Sequence, residues 1–164
     1  MTENDEQFLN DHFFIIDSLN CDKYNSKFFG FILDDDSFSN SYNSIIQKDC
    51  YGTYINIIKN NEELIIQQDY YGSYGIFVYE DPNYFAISNS LLYLANFLKN
   101  KKSLSINEDY VKTFLCCDLV PLIFEETIFN EITQLSKNYC IHINTKLKKN
   151  NKVKKRIYRN CRYR

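Results

Sequence analysis

The sequence contains no apolar run that approaches the ~18 residues needed to span a bilayer as a helix. It also lacks a secretory signal, because its start, MTENDEQFLNDH, is acidic and polar rather than basic and then apolar. These absences exclude a protein anchored by helical spans. They lead us to expect a cytoplasmic protein with no membrane span.

The sequence also lacks the spacings that usually bind metal ions. Its six cysteines, at positions 21, 50, 116, 117, 140 and 161, form no C-x-x-C pair, and the adjacent cysteines 116 and 117 are poorly spaced as zinc ligands. No EF-hand spacing follows the acidic run at residues 34–36, which we interpret as a solvated turn. We therefore predict reduced, buried thiols and no metal or other cofactor.

Arginine is absent from the first 155 residues. Residues 146–164 hold ten Lys or Arg and no acid, whereas residues 1–145 hold nine Lys against 21 acids. We predict that residues 146–164 are a disordered, solvated tail. A small binding module that uses this basic tail on nucleic acid or anionic lipid is an alternative function. The tyrosines have strand spacing, which favours sheet packing over base stacking, so we do not expect a nucleic-acid partner.

The residues that are present indicate one folded α+β domain over residues 1–145. Apolar residues make up 45% of the chain, including 13 Phe and 14 Tyr, which suits a substantial core. Short apolar runs predict antiparallel strands, with tight turns at residues 59–62 and 80–83. Helical spacing of apolar residues predicts two helices, each with one apolar face: one after Ser88 or Ser90, and one after Asn107 that Pro121 ends. A further strand is predicted at residues 138–143.

Several motifs follow one another in a specific order: Phe29-Gly30-Phe31, Asp49-x-x-Gly52-Thr53-Tyr54, Gln68-Asp69-Tyr70-Tyr71-Gly72, Phe85-Ala86-Ile87-Ser88-Asn89 and Thr127-x-Phe129-x-x-Ile132-x-x-Leu135. Together they resemble the class II glutamine amidotransferase domain of asparagine synthetases. The resemblance covers residues 28–158 and is greatest to divergent asparagine-synthetase-like proteins of bacterial peptide and surface-polysaccharide gene sets. It implies a degenerate Ntn-hydrolase-like fold, in which antiparallel β-sheets have flanking helices.

The resembled family needs a cysteine at the mature N-terminus, whose own α-amine acts as the general base. It also needs an Arg for the glutamine carboxylate and an Asn-Gly pair for the oxyanion hole. Here Phe29 occupies the nucleophile position, no Asn-Gly pair exists, and Gln68 and Asn89 replace the family's Arg and Glu. Asp49 matches the acid that contacts the glutamine amine and is therefore a substrate-binding candidate.

The resemblance thus implies a catalytically inactive glutamine-amidotransferase-like domain of an asparagine-synthetase-like, amide-forming ligase. Such a domain would be a scaffold or docking piece. No S-G-G-x-D-S phosphate loop occurs, so we expect the ATP-using synthetase as a separate domain or protein, or a truncated or frameshifted gene. The alternative within the same family is an active glutamine-hydrolysing enzyme, formed by cleavage before Cys21 or Cys50.

Overall fold

The computed structural model describes residues 12–34, 37–39, 46, 51–116 and 125–154. The chain forms two compact units, each assembled from two stretches of sequence. The helical unit comprises Met1–Cys21 and Gly75–Ser136, and the sheet unit comprises Asp22–Tyr74 and Lys137–Arg164. The mostly antiparallel sheets with two helices agree with the predicted α+β class. Within the described ranges, no helix has the length and apolar character to cross a membrane.

The described residues contain ten strands and two helices. In chain order the strands are β1 (Ile15–Asp17), β2 (Lys27–Asp34), β3 (Ser37–Ser39), β4 (Tyr51–Asn60), β5 (Glu63–Gln68), β6 (Phe77–Asp81), β7 (Tyr84–Ser88), β8 (Ile132–Gln134), β9 (Tyr139–Asn144) and β10 (Lys149–Lys154). The helices are α1 (Leu91–Leu98) and α2 (Glu108–Cys116). The helical unit has the strand order β1-β7-β6-β8, and the sheet unit has the order β10-β9-β5-β4-β2-β3.

The predicted hairpin at residues 80–83 is confirmed as β6 and β7, joined by Pro82 and Asn83. The Asp81 carboxylate accepts a hydrogen bond from the Asn83 amide at 2.9 Å, which closes the turn. Helix α1 follows, and the Ser90 hydroxyl caps it by accepting from the Tyr93 amide at 3.3 Å. Its buried residues pack on the sheet in a cluster made of Tyr79, Ala86, Leu94, Ala95, Leu98 and Ile132.

Helix α2 begins after Asn107 as predicted, because the Asn107 side chain accepts a hydrogen bond from the Tyr110 amide at 3.0 Å. The predicted apolar face is present, but no residue of the helix is buried, and Phe114 and Leu115 are exposed. Helical periodicity shows that one face is apolar, not that a neighbour covers it. The predicted end at Pro121 lies outside the described residues.

The predicted hairpin at residues 59–62 is confirmed as β4 and β5. Asn61 lies in the turn with a φ of 45°, a left-handed conformation that asparagine tolerates. Register and alternation place six fully buried apolar side chains on one face of this sheet: Ile55, Ile57, Leu64, Ile66, Ile141 and Ile143. Fully burying each such side chain contributes about 1.5–3 kcal/mol, so this face is a major source of the unit's stability.

The predicted disordered tail is wrong for residues 149–154, which form β10 and pair with β9. The predicted domain boundary at residue 145 therefore falls in the turn between these two strands. This turn is held by the Leu147 amide, which donates to the Asn144 side chain at 2.8 Å. The polar segment KNNKVK has no apolar alternation to mark it, yet lysine is common on strands at a sheet edge. Residues 155–164 lie outside the described part of the chain.

Candidate functional site

Phe29, the residue at the expected nucleophile position, lies inside β2 and pairs with Ile55 of β4. Its side chain is 7% exposed, and the Lys27 ammonium lies 4.7 Å from the centre of its ring. Lys27 and Phe28 precede it in the same strand, so its backbone nitrogen belongs to a peptide bond. Phe29 therefore offers neither a nucleophile nor a free amine, and it serves as part of the core.

The glycine after Phe29 is required by the close approach of β2 to β4. Gly30 has a φ of +95°, which residues with a side chain rarely adopt. A Cβ atom placed there would collide with the Thr53 carbonyl oxygen and lie 3.0 Å from the Tyr74 ring. A Cβ atom at Gly52 would likewise collide with the Phe31 carbonyl oxygen. These motif glycines are thus explained by strand packing.

Asp49, the substrate-binding candidate, lies outside the described residues, as does Cys50. The described residue nearest before it is Ile46, which is buried and packs on Ile32 and Tyr54. The Gln67 side chain accepts from the Ile46 amide at 3.1 Å and donates to the Ile46 carbonyl at 2.8 Å. Gln67 therefore holds the backbone at Ile46 much as a neighbouring strand would.

Asp69, at the centre of the Gln68-Asp69-Tyr70-Tyr71-Gly72 motif, is fully buried and organises the turn after β5. Its carboxylate accepts hydrogen bonds from the Tyr71 amide at 2.8 Å and from the Ser73 amide at 3.0 Å. The Ser73 hydroxyl donates to it at 3.1 Å. Since these groups all belong to the next four residues, the carboxylate fixes the local backbone.

Thr127 has a similar role in the Thr127-x-Phe129-x-x-Ile132 motif. Its buried hydroxyl accepts from the Phe129 amide at 3.1 Å and lies 2.7 Å from the Ile132 carbonyl, to which it donates. Ile132 is buried in the core of the helical unit, with Phe129 packed against that core. The motif thus forms a turn and anchors it.

Asn89, which by the resemblance would stand in place of a Glu, joins two segments of the helical unit. Its side-chain oxygen accepts from the Phe14 amide at 3.0 Å, and its side-chain nitrogen donates to the His12 carbonyl at 2.9 Å. These two bonds hold the backbone before β1 beside the end of β7. A carboxylate at this position could accept from Phe14 but could not donate to His12, so the amide suits the observed arrangement.

A polar cluster that the sequence did not reveal lies in the helical unit. The Tyr84 hydroxyl donates to the buried Asp17 carboxylate at 2.7 Å, and the Tyr79 hydroxyl donates to Asp81 at 3.0 Å. The Lys102 ammonium lies 2.6 Å from the Asp81 carboxylate and 4.9 Å from the centre of the Tyr84 ring. Positions 17 and 84 are far apart in sequence, so no local signal could have linked them.

In this polar cluster the pKa values of Asp81, Lys102 and Tyr84 are shifted away from neutrality. The hydrogen bond from Lys102 is the main cause that lowers the pKa of Asp81 to about 2. The same bond raises the pKa of Lys102. Burial, and then the hydrogen bond to Asp17, raise the pKa of Tyr84. Because a general base or nucleophile works best with a pKa near neutrality, these shifts suit a structural network rather than catalysis.

A comparison of the chain with protein-family models finds no match, and a comparison with curated protein sequences finds none either. In the part of the chain that the structure describes, no group of three or more His, Cys, Asp or Glu side chains is placed to hold a metal ion. The candidate site therefore rests on its own geometry, in which the described motif residues support turns, strand contacts and core packing.

Proposed function

We propose that this chain is a catalytically inactive glutamine-amidotransferase-like domain with a degenerate Ntn-hydrolase-like fold. It would be a scaffold or docking piece of an asparagine-synthetase-like, amide-forming ligase. The observation that carries the proposal is Phe29, which replaces the nucleophile and lies buried within a paired strand. A phenyl ring cannot attack the glutamine amide, and a peptide nitrogen cannot act as the general base.

The polar motif residues support the same proposal. The Asp69 carboxylate is occupied by the backbone and hydroxyl of its own turn, and Thr127 by the turn of its own motif. Asn89 is occupied by two backbone groups that precede β1. Groups used in this way keep a fold in place after its chemistry has been lost, which suits a docking domain.

The position of Cys21 argues against an enzyme activated by cleavage at that residue. Cys21 is fully buried, and its amide donates to the Asp17 carbonyl at 3.0 Å in the turn after β1. A new N-terminus at Cys21 would lie in the core, and release of the preceding segment would also remove β1, with buried Ile16, from the strand that pairs with it. Because a buried amine and thiol cannot reach glutamine, we favour the inactive domain.

Incubation of the purified chain with glutamine tests the missing activity. We expect glutamate and ammonia to stay at the level of a blank, whereas an active class II glutamine amidotransferase gives both products in the same assay. Intact-mass measurement after the incubation establishes whether any cleavage has occurred. Glutamine hydrolysis that tracks the purified protein and disappears in the Cys21→Ala or Cys50→Ala variant would overturn the proposal.

The docking role has its own test. An ATP-using synthetase protein of the resembled family, encoded beside this chain and lacking its own amidotransferase domain, should bind the purified chain in isothermal titration calorimetry. Amide formation by that protein from free ammonia should continue, since the chain supplies no ammonia from glutamine. If the two proteins fail to bind, the chain is not a docking piece of such a ligase, even where glutamine hydrolysis is absent.

A further inference from the structure

One end of the sheet unit exposes a row of apolar side chains that continues from the core. Leu33 of β2 lies opposite Phe38 of β3 on one side and Tyr51 of β4 on the other. Residues opposite one another in antiparallel strands lie on the same face, and Phe31 shares that face because it lies two residues from Leu33. We give the name aromatic patch to these four residues: Phe31, Leu33, Phe38 and Tyr51.

The aromatic patch is exposed, unlike the inner part of the same face. Its members Phe31, Leu33, Phe38 and Tyr51 are 37%, 46%, 67% and 73% exposed, whereas Ile55, further along β4, is fully buried. The Phe31 and Phe38 rings stack with their centres 5.6 Å apart, so the patch has an ordered surface. Contiguous exposed apolar surface of this kind marks interaction sites in proteins.

The size of the aromatic patch fits a particular type of partner. If a fully exposed side chain of this kind offers about 150–250 Å², the four members together expose roughly 330–560 Å². A standard interface buries about 800 Å² of each partner, and about 65% of a homodimer interface is apolar. The apolar area that such a homodimer requires from each copy, roughly 520 Å², therefore falls within the range of the area that the patch provides.

The charges along the sheet point to the same partner. No member of the aromatic patch is charged, and β3, which ends the strand order on this side, is Ser-Phe-Ser. At the other end of the order, β10 begins with the exposed Lys149. Lysines on an edge strand discourage association, whereas an uncharged aromatic surface complements a copy of itself.

We propose that the aromatic patch is a self-association surface through which two copies of this chain form a two-fold symmetric dimer. In a two-fold interface the same surface is used by both copies, so each member of the patch contributes twice. This inference goes beyond the proposed function, because it depends on neither the glutamine chemistry nor a synthetase partner.

Sedimentation velocity of the full chain tests the proposal over about 0.01–100 µM, since interfaces of this size dissociate in the micromolar range or below. We expect a concentration-dependent dimer in the wild type. Phe38→Lys and Tyr51→Lys, made separately, should each weaken it at least about tenfold, as losses at the centre of an interface do. Leu147→Lys is the matched control, because Leu147 is 68% exposed in the same unit and lies outside the patch.

Hydrogen–deuterium exchange of the wild type provides a readout that needs no variant. Peptides containing Phe38 and Tyr51 should exchange more slowly at the high end of the concentration series than at the low end. A chain that stays monomeric throughout would overturn the proposal, as would a dimer without that protection. A folded variant, checked by circular dichroism, that dimerises as well as the Leu147→Lys control would overturn it too.

Discussion

The Asp69 carboxylate accepts hydrogen bonds from both the amide and the hydroxyl of Ser73, at 3.0 and 3.1 Å. Replacing Asp69 with Ala should destabilise the sheet unit by about 3 kcal/mol, because bonds to a buried charged group are lost together and their donors are left unsatisfied. Ser73→Ala should cost about 1 kcal/mol, since it removes one of these bonds. Urea denaturation measures both free energies of unfolding. Equal losses in the two variants would show that the carboxylate does not organise the turn.

A single substitution at Gly30 should also lower the free energy of unfolding strongly. Gly30→Ala should destabilise the protein by more than about 3 kcal/mol, because the alanine Cβ collides with the Thr53 backbone and the φ of +95° is itself unfavourable. Gly72→Ala is the matched control. Its φ of +67° carries a cost of about 1–2 kcal/mol, but its nearest neighbour is a Lys137 side chain at 3.2 Å rather than a carbonyl oxygen. The midpoint of urea denaturation should therefore fall further for Gly30→Ala. A larger effect at Gly72 would contradict the close approach of β2 and β4.

Local signals predicted the elements that the structure confirms. Asn61 indicated the β4–β5 hairpin, because asparagine tolerates a left-handed backbone. Pro82 indicated the β6–β7 hairpin, because proline fixes the φ that the turn needs. Ser88 or Ser90, of which the structure uses Ser90, and Asn107 marked the helix starts, because a short polar side chain satisfies free amides there. Each of these features is decided within a few residues, so the sequence alone can reveal it.

The remaining features depend on distant pairings. The division into two units follows from β9 pairing with β5 in one unit and β8 pairing with β6 in the other. Strand β10 has no apolar alternation and is placed by its partner β9. The motif residue Asp69 was visible in the sequence, but its use within its own turn was not. Only the fold shows which polar groups are already occupied.

The ion pair between Lys102 and Asp81 should make the helical unit sensitive to acid. The pKa of Asp81 is lowered from 3.8 to about 2 in the folded chain. A lowered pKa stabilises the fold above the unfolded value, and this stabilisation is lost as the pH falls from 3.8 toward 2. Asp81→Asn should therefore show a shallower loss of stability over that range than the wild type. Urea denaturation at a series of pH values measures the two slopes.

The control for the Asp81 experiment is Glu80→Gln, which removes an exposed neighbouring carboxylate outside the ion pair. It should keep the wild-type slope between pH 3.8 and about 2, since the Asp81 shift remains. Lys102→Met should reduce the slope as Asp81→Asn does, because the hydrogen bond from Lys102 is the main cause of the shift. If the stability of Lys102→Met fell with pH as steeply as that of the wild type, the acid sensitivity would come from other carboxylates.

The hydrogen bond from Tyr84 to Asp17 should have its effect at the opposite end of the pH range. Burial and the Asp17 carboxylate raise the pKa of Tyr84 above its ordinary value of 10.0. A raised pKa stabilises the fold below pH 10.0, and this stabilisation is lost as the pH rises further, because the unfolded tyrosine ionises first. Phenolate absorbance should show a late-ionising tyrosine that is missing from Tyr84→Phe.

At neutral pH the Tyr84→Phe variant should be about 1–3 kcal/mol less stable, because one oxygen of buried Asp17 loses its hydrogen-bond donor. The loss is limited because the Leu19 and Asn20 amides still donate to the other oxygen. If Tyr84→Phe keeps the late step and loses absorbance in the main step near pH 10.0 instead, Tyr84 ionises with the exposed tyrosines and Asp17 does not hold its proton.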